Sequence, residues 1–113
     1  MISLSRSALV YAISICREKE NYRVTVVCDS ETGSEAVMEE LCNFNLVRDP
    51  QHTHRVVKGR NSSYLQFKNG SIIRVIAARE SVRGLRSHLI IVSPEVNKEI
   101  VECVLRPMET LKG

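Results

Sequence analysis

The sequence predicts an α/β domain, because short apolar strands alternate along it with segments of helical periodicity. Two blocks, 23–28 and 89–92, are rich in branched aliphatic residues and too short for helices, which is typical of strands covered on both faces. Other segments repeat apolar residues every three or four positions, which indicates helices with one buried stripe. At 113 residues and 43% hydrophobic, the chain suits one domain spanning 1–113.

The first half of the chain predicts the order helix, strand, helix. A first helix over about 4–19 has one apolar stripe, and either Ser3 or Ser5 can cap its amino end. The strand 23–28 follows. Thr32 and Glu35 have the spacing of a capping box, which predicts a second helix over about 33–44.

The second half predicts a loop, a hairpin, a strand and a helix. The polar stretch 45–63 predicts a loop with at most one short strand, at 55–57. The pair Asn69-Gly70 separates two strand-like segments, which predicts an antiparallel hairpin over about 64–77 with a type I′ turn. The strand 89–92 is followed by a third helix, over about 94–108, with a single apolar face.

Cysteine use and hydropathy favour a soluble protein of the cytoplasm. The four cysteines include no CxxC pair, so buried free thiols in a reducing compartment are expected rather than a disulfide framework or a zinc site. No apolar run approaches the ~18 residues that cross a bilayer, so no membrane partner is expected.

Positive charge is concentrated in one part of the chain. The formal net charge is only +3, but the stretch 55–86 contains eight bases against the single acid Glu80. This block predicts a surface that faces phosphate or an acidic partner. A solvated rim that balances the acidic second helix is an equally good interpretation. The bases are Arg55, Lys58, Arg60, Lys68, Arg74, Arg79, Arg83 and Arg86.

Five of these bases are candidate contacts for nucleic acid or another anion. Arg79, Arg83 and Arg86 lie on the connection before the buried strand 89–92, and Lys58 and Arg60 lie in the preceding loop region. Guanidinium groups pair bidentately with phosphate, which suits a cluster on one connection. The chain has three Tyr, two Phe and no Trp, so binding should be mainly electrostatic and sensitive to salt.

Two segments occupy positions where a phosphate-binding ATPase would place its chemistry. Arg6 and Ser7 open the first helix, where such an enzyme has a lysine and a magnesium-binding hydroxyl, but no glycine precedes them. Ser93, Pro94 and Glu95 follow the buried strand, where two acids would be needed. As N-cap, first position and first turn, the same three residues predict the start of the third helix.

From residue 64 onward, the motifs resemble a segment of phage terminase large subunits. They are NGS in a hairpin, A-x-E-x-x-R-G-x-R, an apolar strand and K-E-I-V-x-x-V-L-R-P-M, in the order found around the metal-binding strand of these packaging motors. The resemblance implies a three-layer, RecA-like and P-loop-like core with a mostly parallel sheet. It also implies that the first strand and the nuclease domain are missing.

The departures from the family decide the expected function. Without phosphate-loop glycines and the acid pair, positioning and charge stabilisation are both lost, so we expect no catalytic residue, no metal and no cofactor. The expected protein is an inactive, terminase-like phage or prophage protein that binds nucleic acid or a phage or host protein. A second copy of the chain is a further candidate partner, through the sheet edge that a missing first strand would leave.

An alternative from the enzyme class remains open at this point. The chain would then be a fragment or subunit of an ATP-dependent DNA-packaging motor that binds ATP and magnesium. The missing groups would come from a neighbouring subunit, with Arg83 or Arg86 as an arginine finger acting in trans.

Overall fold

A computed structural model describes residues 1–59, 63–78 and 86–109, and its centre is a six-stranded mixed sheet. The strand order is β1-β6-β2-β5-β4-β3, in which β1, β6, β2 and β5 are parallel neighbours. Only β4 runs against the others, because it is antiparallel to both β5 and β3. The strands are β1 (Ile2–Ser3), β2 (Arg23–Cys28), β3 (Thr53–Lys58), β4 (Ser63–Phe67), β5 (Ile72–Ala77) and β6 (Leu89–Val92).

Helices pack on both faces of the sheet, because successive strand residues point in opposite directions. On the first face, α1 (Arg6–Glu18), α2 (Glu31–Asn43) and α3 (Asn45–Arg48) enclose the larger core. On the second face, a C-terminal helical segment encloses the smaller core. This segment consists of α4 (Lys98–Ile100), a π-helical turn (Val101–Leu105) and α5 (Arg106–Met108).

The two cores confirm the predicted α/β class. Val26 of β2 belongs to the larger core and its neighbour Val27 to the smaller one; Ile91 and Ile90 of β6 divide in the same way. Both faces of the central strands are therefore covered by helices at these positions. The predicted strands 23–28 and 89–92 have the bounds expected from the sequence.

The two N-terminal helices begin at serine caps. The Ser5 hydroxyl accepts a hydrogen bond from the Ala8 N–H at 3.1 Å, which confirms one of the two predicted caps. The predicted capping box of Thr32 and Glu35 is wrong. Ser30 accepts from the Gly33 N–H at 3.0 Å, so α2 begins two residues earlier than predicted, at Glu31.

The predicted hairpin is present, but its turn is of a different type. Gly70 has φ +88°, and among the described non-glycine residues only Asn21 has positive φ. A type I′ turn needs positive φ at Asn69 as well, so this part of the prediction is wrong. The connection instead resembles a three-residue loop with a left-handed glycine, closed by the Phe67 N–H donating to the Ser71 carbonyl at 2.8 Å.

The C-terminal helical segment starts later than predicted. Its first helical residue is Lys98 rather than 94, and the cap is Asn97, whose side chain accepts from the Glu99 N–H at 2.7 Å. Residues 93–96 form a turn in which the Val96 N–H donates to the Ser93 carbonyl at 3.1 Å. This turn buries Val96 in the smaller core, and the helix can begin only after it.

Three further expectations need correction. The stretch 45–63 contains α3 and a β3 strand longer than the 55–57 predicted. A first strand is present, since Ile2 and Ser3 pair in parallel with β6, so the predicted dimer loses the missing-strand edge on which it was based. Of the four free thiols, Cys103 is exposed.

Within the described ranges, no helix is long and apolar enough to cross a membrane.

Candidate nucleic-acid interface

An arginine-lined recess lies on the second face of the sheet. Its volume is about 400 Å³, within the roughly 300–1,000 Å³ typical of binding sites in proteins. Strands β2, β4 and β5, the turn between β4 and β5, and the segment before β6 supply its described lining: Arg23, Val24, Thr25, Gln66, Gly70, Ile72, Arg74 and Arg86. We call this site the arginine recess.

Strand alternation explains why polar residues meet at this place. On β2, the second-face positions are Arg23, Thr25 and then Val27, and Arg74 and Ile76 of β5 lie beside the last two of these. Val27 and Ile76 pack in the smaller core beneath the C-terminal helical segment. Polar residues therefore occupy the part of the second face that the C-terminal helical segment does not cover.

The three arginines of the recess have no acidic partner within the described part of the chain. Arg6, Arg17 and Arg106 each pair with a carboxylate, whereas Arg23, Arg74 and Arg86 form no such pair. The guanidinium of Arg74 lies over the Tyr64 ring, 5.6 Å from its centroid. The recess thus concentrates positive charge that no described carboxylate compensates, which favours an anionic ligand.

Hydroxyl and backbone contacts fix the floor of the recess. The buried hydroxyls of Thr25 and Ser87 lie 2.6 Å apart and share a hydrogen bond. The Ser87 N–H donates to the Met108 carbonyl at 2.9 Å. Because Ser87 is held from two sides, the backbone that carries its neighbour Arg86 has a defined position at the recess.

His88 supports the same end of β2. The Arg23 N–H donates to Nδ1 of His88 at 3.0 Å, and the imidazole stacks on Tyr22 with ring centroids 4.6 Å apart. Nδ1 can accept this bond only when it carries no proton, so the geometry requires the neutral ring. Burial lowers the pKa of His88, and the positive charges of Arg23 and Lys19 lower it further.

The structure places one of the five predicted anion contacts, Arg86, in the recess. Lys58 lines a different cleft, near Glu35 and Glu39 of α2. Arg60, Arg79 and Arg83 lie outside the described residues.

Two arginines of the recess were not among the predicted contacts. Arg23 begins one mostly apolar strand and Arg74 interrupts another. The signal that could have found them is their place in the alternation, because both point to the same face as the polar Thr25.

The residues at the phosphate-loop position are engaged in contacts within the protein. Only Leu4 and Ser5 separate β1 from α1, and Ser5 caps the helix. The Arg6 guanidinium pairs with Glu40 at 3.3 Å and lies over the Phe44 ring. Ser7 is an exposed residue of the first turn. A connection this short cannot wrap a phosphate group in its amides as a glycine-rich loop does.

The residues at the acid-pair position form a small closed turn. The Ser93 N–H donates to the Val27 carbonyl at 2.9 Å, and the Ser93 hydroxyl donates to the Glu95 carboxylate at 2.6 Å. Pro94 is exposed. The predicted roles as N-cap, first position and first turn of the third helix are therefore wrong. Over 1–59, 63–78 and 86–109, no group of three His, Cys, Asp or Glu side chains could hold a metal ion.

Comparisons with protein-family models, curated proteins and solved structures found no match to this chain. The resemblance to terminases therefore stays a prediction from the sequence motifs.

Proposed function

We propose that this chain is a catalytically inactive, terminase-like phage or prophage protein that binds nucleic acid through the arginine recess. The observation that carries the binding role is the convergence of Arg23, Arg74 and Arg86 on one recess, where no described carboxylate pairs with them. The terminase-like origin rests on the sequence motifs alone.

Phosphate is the anion that best suits this arrangement. A guanidinium presents a planar fork of donors that matches two phosphate oxygens. Several guanidinium groups in one concave site can each contact a different phosphate of a phosphodiester chain, whereas a single carboxylate would engage only one of them. Of the two hydroxyls that share a hydrogen bond there, Thr25 lines the recess, so it adds a polar group without charge. Binding of this kind positions the backbone and carries little sequence information.

The contacts at Arg6 and Glu95 support binding without nucleotide hydrolysis. Arg6 is paired with Glu40, and Glu95 accepts from Ser93, so nucleotide binding at either position would first break a contact within the protein. In the alternative, a neighbouring subunit would supply the missing groups of a motor subunit. Both the Arg6–Glu40 and the Ser93–Glu95 contact would then have to break when nucleotide binds. Equilibrium dialysis with ATP and magnesium tests it, and no binding at millimolar ATP removes it.

The proposal is tested by the salt dependence of binding to a labelled oligonucleotide, followed by fluorescence anisotropy. Three engaged phosphates give a slope of about −2 for log Kobs against log salt on a single strand. The variant carrying Arg23→Ala, Arg74→Ala and Arg86→Ala should lose most of this slope.

A control on the opposite face is Arg48→Ala, which removes one positive charge from α3, where Arg48 is exposed. The control should bind like the wild type. Equal loss in the control and the triple variant would contradict the proposal, as would no binding by the wild type at low salt.

A further inference from the structure

We infer that the arginine recess takes single-stranded rather than double-stranded nucleic acid, with Tyr64 as the ring on which a base stacks. This inference rests on the proposed function and specifies its ligand. Tyr64 lies beside the recess, and its half-buried ring contacts one of the three arginines.

The strand register sets the ring next to the charges. Tyr64 of β4 is the cross-strand partner of Arg74 on β5, and Arg74 is in turn the partner of Thr25 on β2. Neighbouring strands are about 4.8 Å apart, so the ring, a guanidinium and the hydroxyl floor follow one another in a line across the second face. One row further along, the partners are Gln66, Ile72 and Arg23.

This line has the two parts that a single strand needs. Guanidinium groups follow the phosphates, and an aromatic ring offers a stacking surface to any base, because every base has a π face. Gln66 adds an amide that both donates and accepts, so it can contact the edge of a base that is not paired. In a duplex, the bases are stacked inside the helix and could not reach Tyr64.

The shape of the site also favours a single strand. Proteins that bind duplex DNA usually insert a protruding helix or a two-stranded ribbon into a groove. Here the arginines line a recess in a sheet face instead. A flexible strand can enter such a recess, whereas a stiff duplex would touch only its rim.

The test compares a single-stranded oligothymidine of about 16 nucleotides with a duplex of the same length and with inorganic polyphosphate, all at low salt by anisotropy or competition. We expect the single strand to bind at least tenfold tighter than the duplex. Tyr64→Leu should weaken single-strand binding about tenfold and leave duplex binding unchanged. Tyr64→Phe, which keeps the ring, should bind like the wild type.

The outcomes separate the two proposals. Equal binding of single strand and duplex, competition by polyphosphate as effective per phosphate as by the oligonucleotide, or a folded Tyr64→Leu variant with unchanged affinity would each overturn the stacking inference. Each of these three outcomes leaves the proposed function standing as charge-driven binding. Failure of every nucleic acid to bind would remove both.

Discussion

The two faces of the sheet use the same strands in different ways. On the first face, α1, α2 and α3 cover a continuous apolar core that extends from β6 to β4. On the second face, the smaller core lies beneath the C-terminal helical segment, and the arginine recess lies beside it. The difference shows that a strand can be buried on one side along its whole length and still present a charged site on the other.

The boundary on the second face falls within individual strands. In β2, Thr25 lies at the floor of the recess and Val27 in the smaller core; in β5, Arg74 and Ile76 divide in the same way. A polar side chain at a second-face position therefore marks where helix packing ends. The first-face residues between them, such as Val26 and Val75, are buried without interruption.

The largest effect on the free energy of unfolding should come from a substitution that leaves a cavity in either core. Leu41→Ala on the first face and Ile90→Ala on the second each remove a fully buried side chain, and each should lower the free energy of unfolding by about 2–5 kcal/mol. Arg74→Ala in the recess should cost no more than about 1 kcal/mol, because the side chain is only partly buried and its main contact is with the Tyr64 ring. Urea denaturation measures all three. A loss for Arg74→Ala as large as that for Ile90→Ala would mean that the recess is part of the core.

A smaller effect should follow from releasing the contact between the hairpin tip and α1. The Asn69 side-chain amide donates to the Cys16 carbonyl at 2.7 Å and to the Lys19 carbonyl at 3.1 Å, and its oxygen accepts from the Ser71 N–H. Asn69→Ala should cost about 1–3 kcal/mol, because carbonyls at the end of α1 lose their donor.

A matched variant separates the two functions of this side chain. Asn69→Asp keeps the acceptor for Ser71 and removes the donors to α1, so urea denaturation should find it destabilised as well. Wild-type stability of Asn69→Asp would show that the amide does not fasten α1 to the hairpin.

The smallest effect should be the pH dependence of stability that comes from His88, which accepts a hydrogen bond from the Arg23 N–H. The pKa of His88 is lowered in the folded protein, so the unfolded chain takes up the proton first as pH falls through about 6.5. Stability should therefore be highest above this pH, decline as pH falls below it, and level off below the folded pKa.

His88→Asn is the variant that isolates this effect. Its side-chain oxygen can accept from the Arg23 N–H but does not titrate. The difference in unfolding free energy between wild type and variant should narrow or reverse between pH 7.5 and pH 5.5. A difference that does not change with pH would contradict the neutral-ring geometry.

The sequence was most informative where local chemistry and tertiary packing agree. The strand over 23–28 and the hairpin over 64–77 follow from side-chain type and from the turn preference of Asn69-Gly70. The three helices were also found, although α2 and the C-terminal segment begin at other residues than predicted. At each of these helix starts the sequence offers two caps, and at the C-terminal segment the burial of Val96 accompanies the later start at Lys98.

The candidate site was harder to predict, because it depends on strand neighbours. Arg23 and Arg74 are 51 positions apart in the chain and meet only through the parallel pairing of β2 with β5. No local pattern contains that pairing. Arg86 was predicted because it lies in a cluster of arginines, but its neighbours Thr25 and Ser87 had given no signal of a shared hydrogen bond.

The central claim, that the open part of the second face binds nucleic acid, is tested most directly by mapping backbone amide shifts during titration with a single-stranded oligonucleotide. In two-dimensional NMR spectra, the amide chemical shifts that change should cluster at Arg23, Thr25, Gln66 and Arg74. The amide chemical shifts of α1 and α2 should not change. Shifts centred on Ser5–Ser7 and Ser93–Glu95 would instead identify a nucleotide pocket and contradict the account.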